Sequence, residues 1–412
     1  MRILMLAQTY SPVVGGEERL VEDLSLQLAA RGHEITVATL RQPLGAPPEA
    51  DGVRVELLES SVHGIPGISV QEERHYAAPL PDPKTTAGLR RLLREQQPDV
   101  VHAHNWLVNS YLPLARRAAP PLVLSLHDYG ILCPTKRLFY KGAVCSGPGP
   151  LKCTRHAFQH YGPGKGAMIA AGTRLSEPWV RRRAEMFLSV SSAVEQLCRV
   201  RQQDSHRVVP NFVGELPAAP ADADERLSFL PDEPFLLYFG DVAEDKGAGN
   251  LIGAYRDLED PPPLVLIGRR SLPGIAEERG VIAPGPLPHP LAIEALRRSM
   301  FTVAPSIWAE PFGIVALEAA AAGKPIIASE IGGLRDIVVD GATGLMVKAG
   351  GRADLRAGLA RMIGDAAMRE RMGEAAAERA KLFSPDAVVP MFEEAYRDAI
   401  AAGLKRGGGD GR

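Results

Sequence analysis

The first forty residues constrain the fold more tightly than any other stretch. Arg2 to Ala7 is a short apolar run and Pro12 to Gly16 a turn. Glu17 to Arg31 then places Leu20, Leu24 and Leu28 at helical spacing. Gly32 ends that helix, and Glu34 to Leu40 is a second apolar run. Two strands joined by a helix pair in parallel through a right-handed crossover, so the chain begins with a β-α-β unit.

The rhythm continues. Strand patterns recur at Val53–Leu57, Val100–Ala103, Leu122–Leu126 and Met186–Val190, with helical patterns between them at Thr85–Gln97 and Ser192–Arg201. A polar, Ala/Pro-rich stretch over 214–234 reads as a linker. Beyond it, strands at Phe235–Gly240, Leu264–Gly268, Phe301–Ala304 and Pro325–Ser329 alternate with helices at Asn250–Leu258, His289–Arg298 and Gly313–Ala322. Residues 354–404 are helical by pattern. The expected fold class is α/β: two Rossmann-like, doubly wound domains, residues 1–213 and 214–385, facing across a cleft. The glycine-rich 406–412 segment reads as a disordered tail. A ligand is expected at the carboxyl ends of the sheets, where such folds bind them.

Composition excludes several classes. A net charge of −2 over 412 residues does not suit a nucleic-acid binder. No apolar run approaches the roughly 18 residues of a membrane-spanning helix. The first segment lacks the charged start and cleavage site of a signal peptide, so a cytoplasmic protein is expected. There is no G-x-G-x-x-G after the first strand and no G-x-x-x-x-G-K-[ST], which argues against a dehydrogenase or a P-loop enzyme.

The most specific segment is residues 305–323, PSIWAEPFGIVALEAAAAG. It leaves a strand, passes Glu310 in a loop and enters a helix near Gly313. The amides of Phe312, Gly313 and Ile314 stand at a helix start, where donors suit an anion or a sugar oxygen. Glu310 in the loop and Glu318 two turns into the helix can each accept hydrogen bonds from hydroxyl groups. A solvated Glu310 and a surface-paired Glu318 are equally compatible with the spacing alone.

This segment resembles the E-x7-E signature of the retaining glycosyltransferases of family 4, which have the two-Rossmann GT-B fold. Further matches follow in order along the chain: Gly15-Gly16, His127-Asp128, Pro210-Asn211, Lys246-Gly247, then Glu310 to Glu318. The resemblance implies that Glu310 holds the donor sugar's hydroxyls and Glu318 the ribose. It makes His127 the residue that touches the transferred sugar, and Lys246 the cation that neutralises the leaving diphosphate. Gly15 and Gly16 would let the backbone approach donor and acceptor; without the resemblance they are simply a tight turn. It also implies a C-terminal helix, 386–405, that crosses back to the first domain.

One departure stands out. The family usually has arginine directly after the strand that ends at Gly240, where this chain has Asp241, a charge that repels a diphosphate. Arg269 or Arg270, after the next strand, is the expected replacement.

Cys133, Cys145, Cys153 and His156 form a C-x11-C-x7-C-x2-H pattern. A structural zinc site is one reading; buried thiols and a disulfide are the others. The arginine runs 90–91, 116–117 and 181–183 read as solvated helix faces or as a peripheral contact with anionic lipid.

The expectation is therefore transfer of a sugar from a UDP- or GDP-sugar to a saccharide, lipid-linked or small-molecule acceptor, which the resemblance implies is read by variable loops of the first domain, here 64–83 and 129–164. No metal would be needed for catalysis, because fixed cations and helix amides meet the diphosphate. A sugar-nucleotide epimerase, a retaining glycosidase and a non-catalytic nucleotide-sugar-binding partner are the competing classes.

Overall fold

The computed structural model describes all residues except 14, 46, 49, 63–73, 117–118, 204, 273, 275–277 and 408–412. The terminal residues expected to be disordered therefore lie largely outside the described residues, as does most of the first half of an expected acceptor loop at 64–83. The chain divides into two compact units. One comprises residues 1–138, 146–210 and 388–412, the other 139–145 and 211–387.

The first unit is built on strands β1 (Arg2–Ala7), β2 (Glu34–Leu40), β3 (Val53–Leu58), β4 (Val100–His104), β5 (Leu122–Leu126), β6 (Met186–Ser189) and β7 (His206–Val208). They form a seven-stranded parallel sheet in the order β3-β2-β1-β4-β5-β6-β7. Every residue of β4 and β5 is buried, as expected of central strands covered on both faces. The helix Gly16–Ala30 presents Leu20, Val21, Leu24 and Leu28 to the core. From the final helix, Pro385–Gly407, Val388, Phe392, Tyr396 and Ala399 are buried in this unit.

The second unit carries β8 (Leu236–Phe239), β9 (Leu264–Ile267), β10 (Val281–Gly285), β11 (Phe301–Ala304), β12 (Ile326–Ser329) and β13 (Gly344–Val347). The order is β10-β9-β8-β11-β12-β13, again all parallel. Alternate residues feed two cores. Leu236, Leu264, Leu266 and Val303 pack on one face, and Leu237, Val265 and Ile267 on the other.

The segment 129–164, read as an irregular loop, instead contains a helix, Pro150–Tyr161, followed by a longer one, Pro163–Arg183. Proline at the first position starts each of them, where its missing N–H costs nothing. In the two large sheets the three strands without an expectation, β7, β10 and β13, lie at the edges, where short strands carry a weak apolar signal. Among the described residues no helix is long and apolar enough to cross a membrane.

Candidate active site

The carboxyl ends of β8, β9 and β11 assemble one group of polar residues in the second unit. The loop after β8 reaches Lys246-Gly247 and opens the helix Ala248–Arg256. Gly247 has φ 75°, and a Cβ there would lie 1.9 Å from the Pro305 carbonyl oxygen, so only glycine fits. The amides of Ile307 and Trp308 both donate to the Asp245 carbonyl, at 2.9 and 3.3 Å, which fastens this loop to the one after β11.

That fastening brings Lys246 to Glu310. Lys246 Nζ donates to Glu310 Oε1 at 2.6 Å, and Ser306 Oγ donates to the same oxygen at 2.7 Å. The ammonium also lies 5.0 Å from the Trp308 ring centre, within cation–π range. The Glu310 backbone is held from behind by Gly333, whose N–H donates to the Glu310 carbonyl at 2.8 Å. Gly332, at φ 60°, comes so close that a Cβ would meet that carbonyl oxygen at 2.3 Å. The carboxylate is thus presented by a loop clamped on both sides.

Gly313 caps the helix Ile314–Ala321, and Phe312 is buried beside it. Glu318, two turns from the loop glutamate, is only 1% exposed, and its Oε1 lies 2.7 Å from His289 Nε2. A carboxylate that deep requires such a partner. Of the two surface alternatives raised for the glutamates, neither holds: Glu310 is ion-paired and Glu318 is buried.

The arginine after β9 does not stand free. Arg269 makes a two-pronged pair with Asp241, Nε to Oδ1 at 3.0 Å and Nη2 to Oδ2 at 2.9 Å. Arg269 therefore cancels the unexpected carboxylate and adds no net positive charge. Arg270, exposed at the next position, has no hydrogen-bonding or ion-pair partner for its side chain among the described residues.

The first unit gathers a second group at the carboxyl ends of its strands. Gly15 is extended at φ −173°, and the helix begins at Gly16. The room beside Gly15 is filled by the Glu18 carboxyl, which accepts from Thr9 Oγ1 at 2.7 Å. Glu17 accepts from Asn105 Nδ2. Burial, reinforced by the neighbouring Glu18 carboxylate, pushes the Glu17 carboxyl up to about 8. This helix start is met by carboxyls of the same chain.

His127 follows β5. Its Nε2 lies 2.8 Å from Nδ1 of the fully buried His104, and the two rings stack with centroids 5.1 Å apart. His102, on the same face of β4, bridges Ser125 Oγ at 2.7 Å and the Tyr396 hydroxyl at 2.8 Å. Burial holds all three imidazoles neutral: His127 is pushed down to about 4, His102 to about 3, and His104 well below its ordinary value. Asp128 does not orient His127. Its Oδ1 accepts from the Gly130 amide at 2.6 Å and Lys136 lies 3.6 Å away, so the orienting partner is His104.

The zinc reading is not supported by the side-chain positions. Among the described residues no three His, Cys, Asp or Glu side chains are gathered as a metal requires, so Cys133, Cys145, Cys153 and His156 form no preformed set. Cys133 is buried in a turn with Sγ 3.3 Å from Thr135 Oγ1, and Cys153 turns back to the Gly149 amide at 3.3 Å. None of the four cysteines is disulfide-bonded, which sets aside the disulfide as well.

Ser306, His289, His104 and the Gly332-Gly333 pair had no place in the sequence reading. The paired glycines after β12 and the His-x-His of β4 were the signals available for two of them.

Comparison with known proteins identifies the family. Residues 222–379 match the model for glycosyl transferases group 1, and residues 15–212 that for a glycosyl transferase 4-like domain. The chain is 30% identical over 407 residues to glycogen synthase of Mycobacterium tuberculosis, covering 92% of this chain and 90% of the relative. It is 28% identical over 438 residues to D-inositol 3-phosphate glycosyltransferase of Nocardia farcinica, covering 99% and 90%. Its fold is similar to that of HepE from Anabaena, solved in complex with UDP-glucose, with a TM-score of 0.68 at 18% identity over 96% of this chain and 99% of that one. The chain belongs to the glycosyl transferases group 1: it is a family 4 glycosyltransferase of the GT-B fold, with two Rossmann-like units.

Proposed function

We propose that this chain moves a sugar from a nucleoside-diphosphate sugar to an acceptor hydroxyl with retention at the anomeric carbon. The observation that carries the proposal is the contact between Lys246 and Glu310, set beside the helix start at Ile314. A cation, a carboxylate and helix amides in one place match the three needs of such a donor: charge for the diphosphate, acceptors for the sugar hydroxyls, and donors for sugar or phosphate oxygens.

In the reaction the bond from the anomeric carbon to the diphosphate oxygen breaks as the bond to the acceptor oxygen forms. The acceptor's proton passes to the departing diphosphate on the same face of the sugar. Negative charge grows on the leaving group, and Lys246 is the residue best suited to stabilise it. Glu310 exchanges its ion pair with Lys246 for hydrogen bonds from sugar hydroxyls when the donor binds. Glu318, held by His289, takes the ribose diol. In the first unit His127, fixed by His104, presents a neutral ring to the transferred sugar.

The two relatives differ by name, a glycogen synthase and a D-inositol 3-phosphate glycosyltransferase, so similarity supports the donor half more strongly than the acceptor half. The uridine donor bound by HepE makes UDP-glucose the first donor to try. The test is to supply a nucleotide sugar with candidate acceptors and read the product by NMR. Retention of the donor's anomeric configuration supports the proposal. An inverted product overturns the retaining mechanism, and conversion of the nucleotide sugar without any acceptor would identify an epimerase.

A further inference from the structure

The amino ends of β1, β4 and β5 lie at the opposite end of the first sheet from His127. There Arg2, Arg90, Arg94, Gln97, Asp99 and Arg116 line an open hollow of about 670 Å3. Its size falls in the range of small-molecule sites, roughly 300–1,000 Å3. Arg90 and Arg94 stand one turn apart near the end of the helix Pro83–Gln96, Arg116 comes from the segment before β5, and Arg2 opens β1.

What sets these guanidinium groups apart is that they gather in one hollow without acidic partners. Several exposed arginines elsewhere are paired, Arg91 with Glu56 and Glu95, Arg207 with Glu394 and Asp398, Arg352 with Asp257, and Arg270 stands without an acid outside this hollow. Arg90, Arg94 and Arg116 have no ion-pair partner among the described residues. Asp99 is the one carboxylate of the lining, and it is already engaged by Arg2, through the backbone N–H at 2.7 Å and Nη2 at 3.5 Å. Like charges one turn apart on a helix repel, so Arg90 and Arg94 weaken their own helix unless an anion lies between them. Two members of separate arginine runs, Arg90 and Arg116, thus meet at one concave site.

We propose that this hollow is a binding site for a phosphate-bearing ligand, separate from the donor site. Three unpaired guanidiniums around a hollow provide forked donors for phosphate oxygens. The phosphate could belong to a free phosphorylated molecule or to a lipid headgroup, and the two sources are separated by experiment.

The first arm is isothermal titration with inorganic pyrophosphate. It is done in full-length protein carrying Lys246→Ala, so that binding at the donor site does not contribute. The second arm is co-sedimentation with phosphatidic acid vesicles, with phosphatidylcholine vesicles as the blank. Both arms compare Arg90→Gln/Arg94→Gln, Arg116→Gln and a control, Arg182→Gln/Arg183→Gln. These are exposed residues, so folding should not confuse the result. Pyrophosphate binding that weakens at least about tenfold in the hollow variants, but not in the control, supports a free phosphorylated ligand. Vesicle binding lost only in the hollow variants supports a headgroup. No binding in either arm, or an equal loss in the control, overturns the proposal.

Discussion

Lys246 Nζ and Glu310 Oε1 lie 2.6 Å apart, although 64 residues separate them, because the glycine at 247 lets one loop press against the carbonyl that begins the other. In the proposed reaction the pair joins the cation for the leaving group to the carboxylate for the sugar. On that proposal, replacing Lys246 by alanine removes the charge that would stabilise the departing diphosphate. We expect kcat to fall by about 100-fold or more. Arginine at the same position should recover part of it. Steady-state kinetics with a working donor and acceptor reads both; unchanged kcat in Lys246→Ala would remove the lysine from the mechanism.

The pair between Arg269 and Asp241 leads to a prediction with a definite sign. Asp241→Asn removes one negative charge and frees the Arg269 guanidinium, so the site becomes more positive and donor KM should drop. Arg270→Ala should raise it several-fold, whereas Arg269→Ala leaves Asp241 unneutralised and should raise it further. Measuring donor KM for the three variants ranks them. Weaker donor binding in Asp241→Asn would show that the pair, and not its net charge, is what the donor needs.

Much of this was legible in the sequence. The β-α-β opening and the restart after residue 234 follow from apolar periodicity, which burial on both faces of a parallel sheet imposes. The loop-to-helix passage through Glu310 and Gly313 was visible because a helix start after a strand has its own residue signature. What was not legible depends on contacts between distant segments. Ser306 and Lys246 meet on one oxygen of Glu310, and His289 finds Glu318 across 29 residues. The fork from Arg269 to Asp241 likewise needs two strand ends side by side. The cysteine spacing is a separate case. Metal-like spacing says nothing of direction, and Cys133 and Cys153 turn toward local partners.

The buried histidines predict an acid sensitivity. His102 and His104 are 0% exposed and held neutral, with folded values far below their unfolded ones. As pH falls below about 6.5, the unfolded chain takes up protons that the native rings refuse. Stability should therefore be lost as pH falls from about 6.5 toward 4, by up to about 1.4 kcal/mol per pH unit for each ring. Denaturant unfolding at a series of pH values checks this. In His104→Leu the slope should be shallower, while loss of the partner to His127 lowers kcat about tenfold with donor affinity unchanged. A slope equal to wild type would mean that His104 is not held neutral.

Glu17 acts in the other direction. Its folded carboxyl titrates at about 8, far above the usual carboxylate range, so the native state keeps a proton that the unfolded chain releases. The stability contributed by that proton is complete at low pH and is lost as pH rises toward 8. Glu17→Gln keeps a carbonyl acceptor for Asn105 and has no charge to desolvate. Its melting temperature should exceed that of wild type by about 3 °C or more at pH 9, with little difference at pH 5. Equal melting temperatures at pH 9 would mean that the Glu17 carboxyl is not held protonated.

The central claim is that the second unit holds a nucleotide-sugar donor through Glu310, Glu318 and Lys246. Its most direct test is calorimetric titration of UDP- and GDP-sugars into wild type and Glu318→Gln, a change that keeps the buried volume beside His289. The account predicts one-to-one binding of one nucleotide series to wild type, weakened at least about tenfold in the variant. Equal binding to both proteins would contradict the role of Glu318. No binding of any nucleotide sugar to wild type at saturating concentration would contradict the donor site itself.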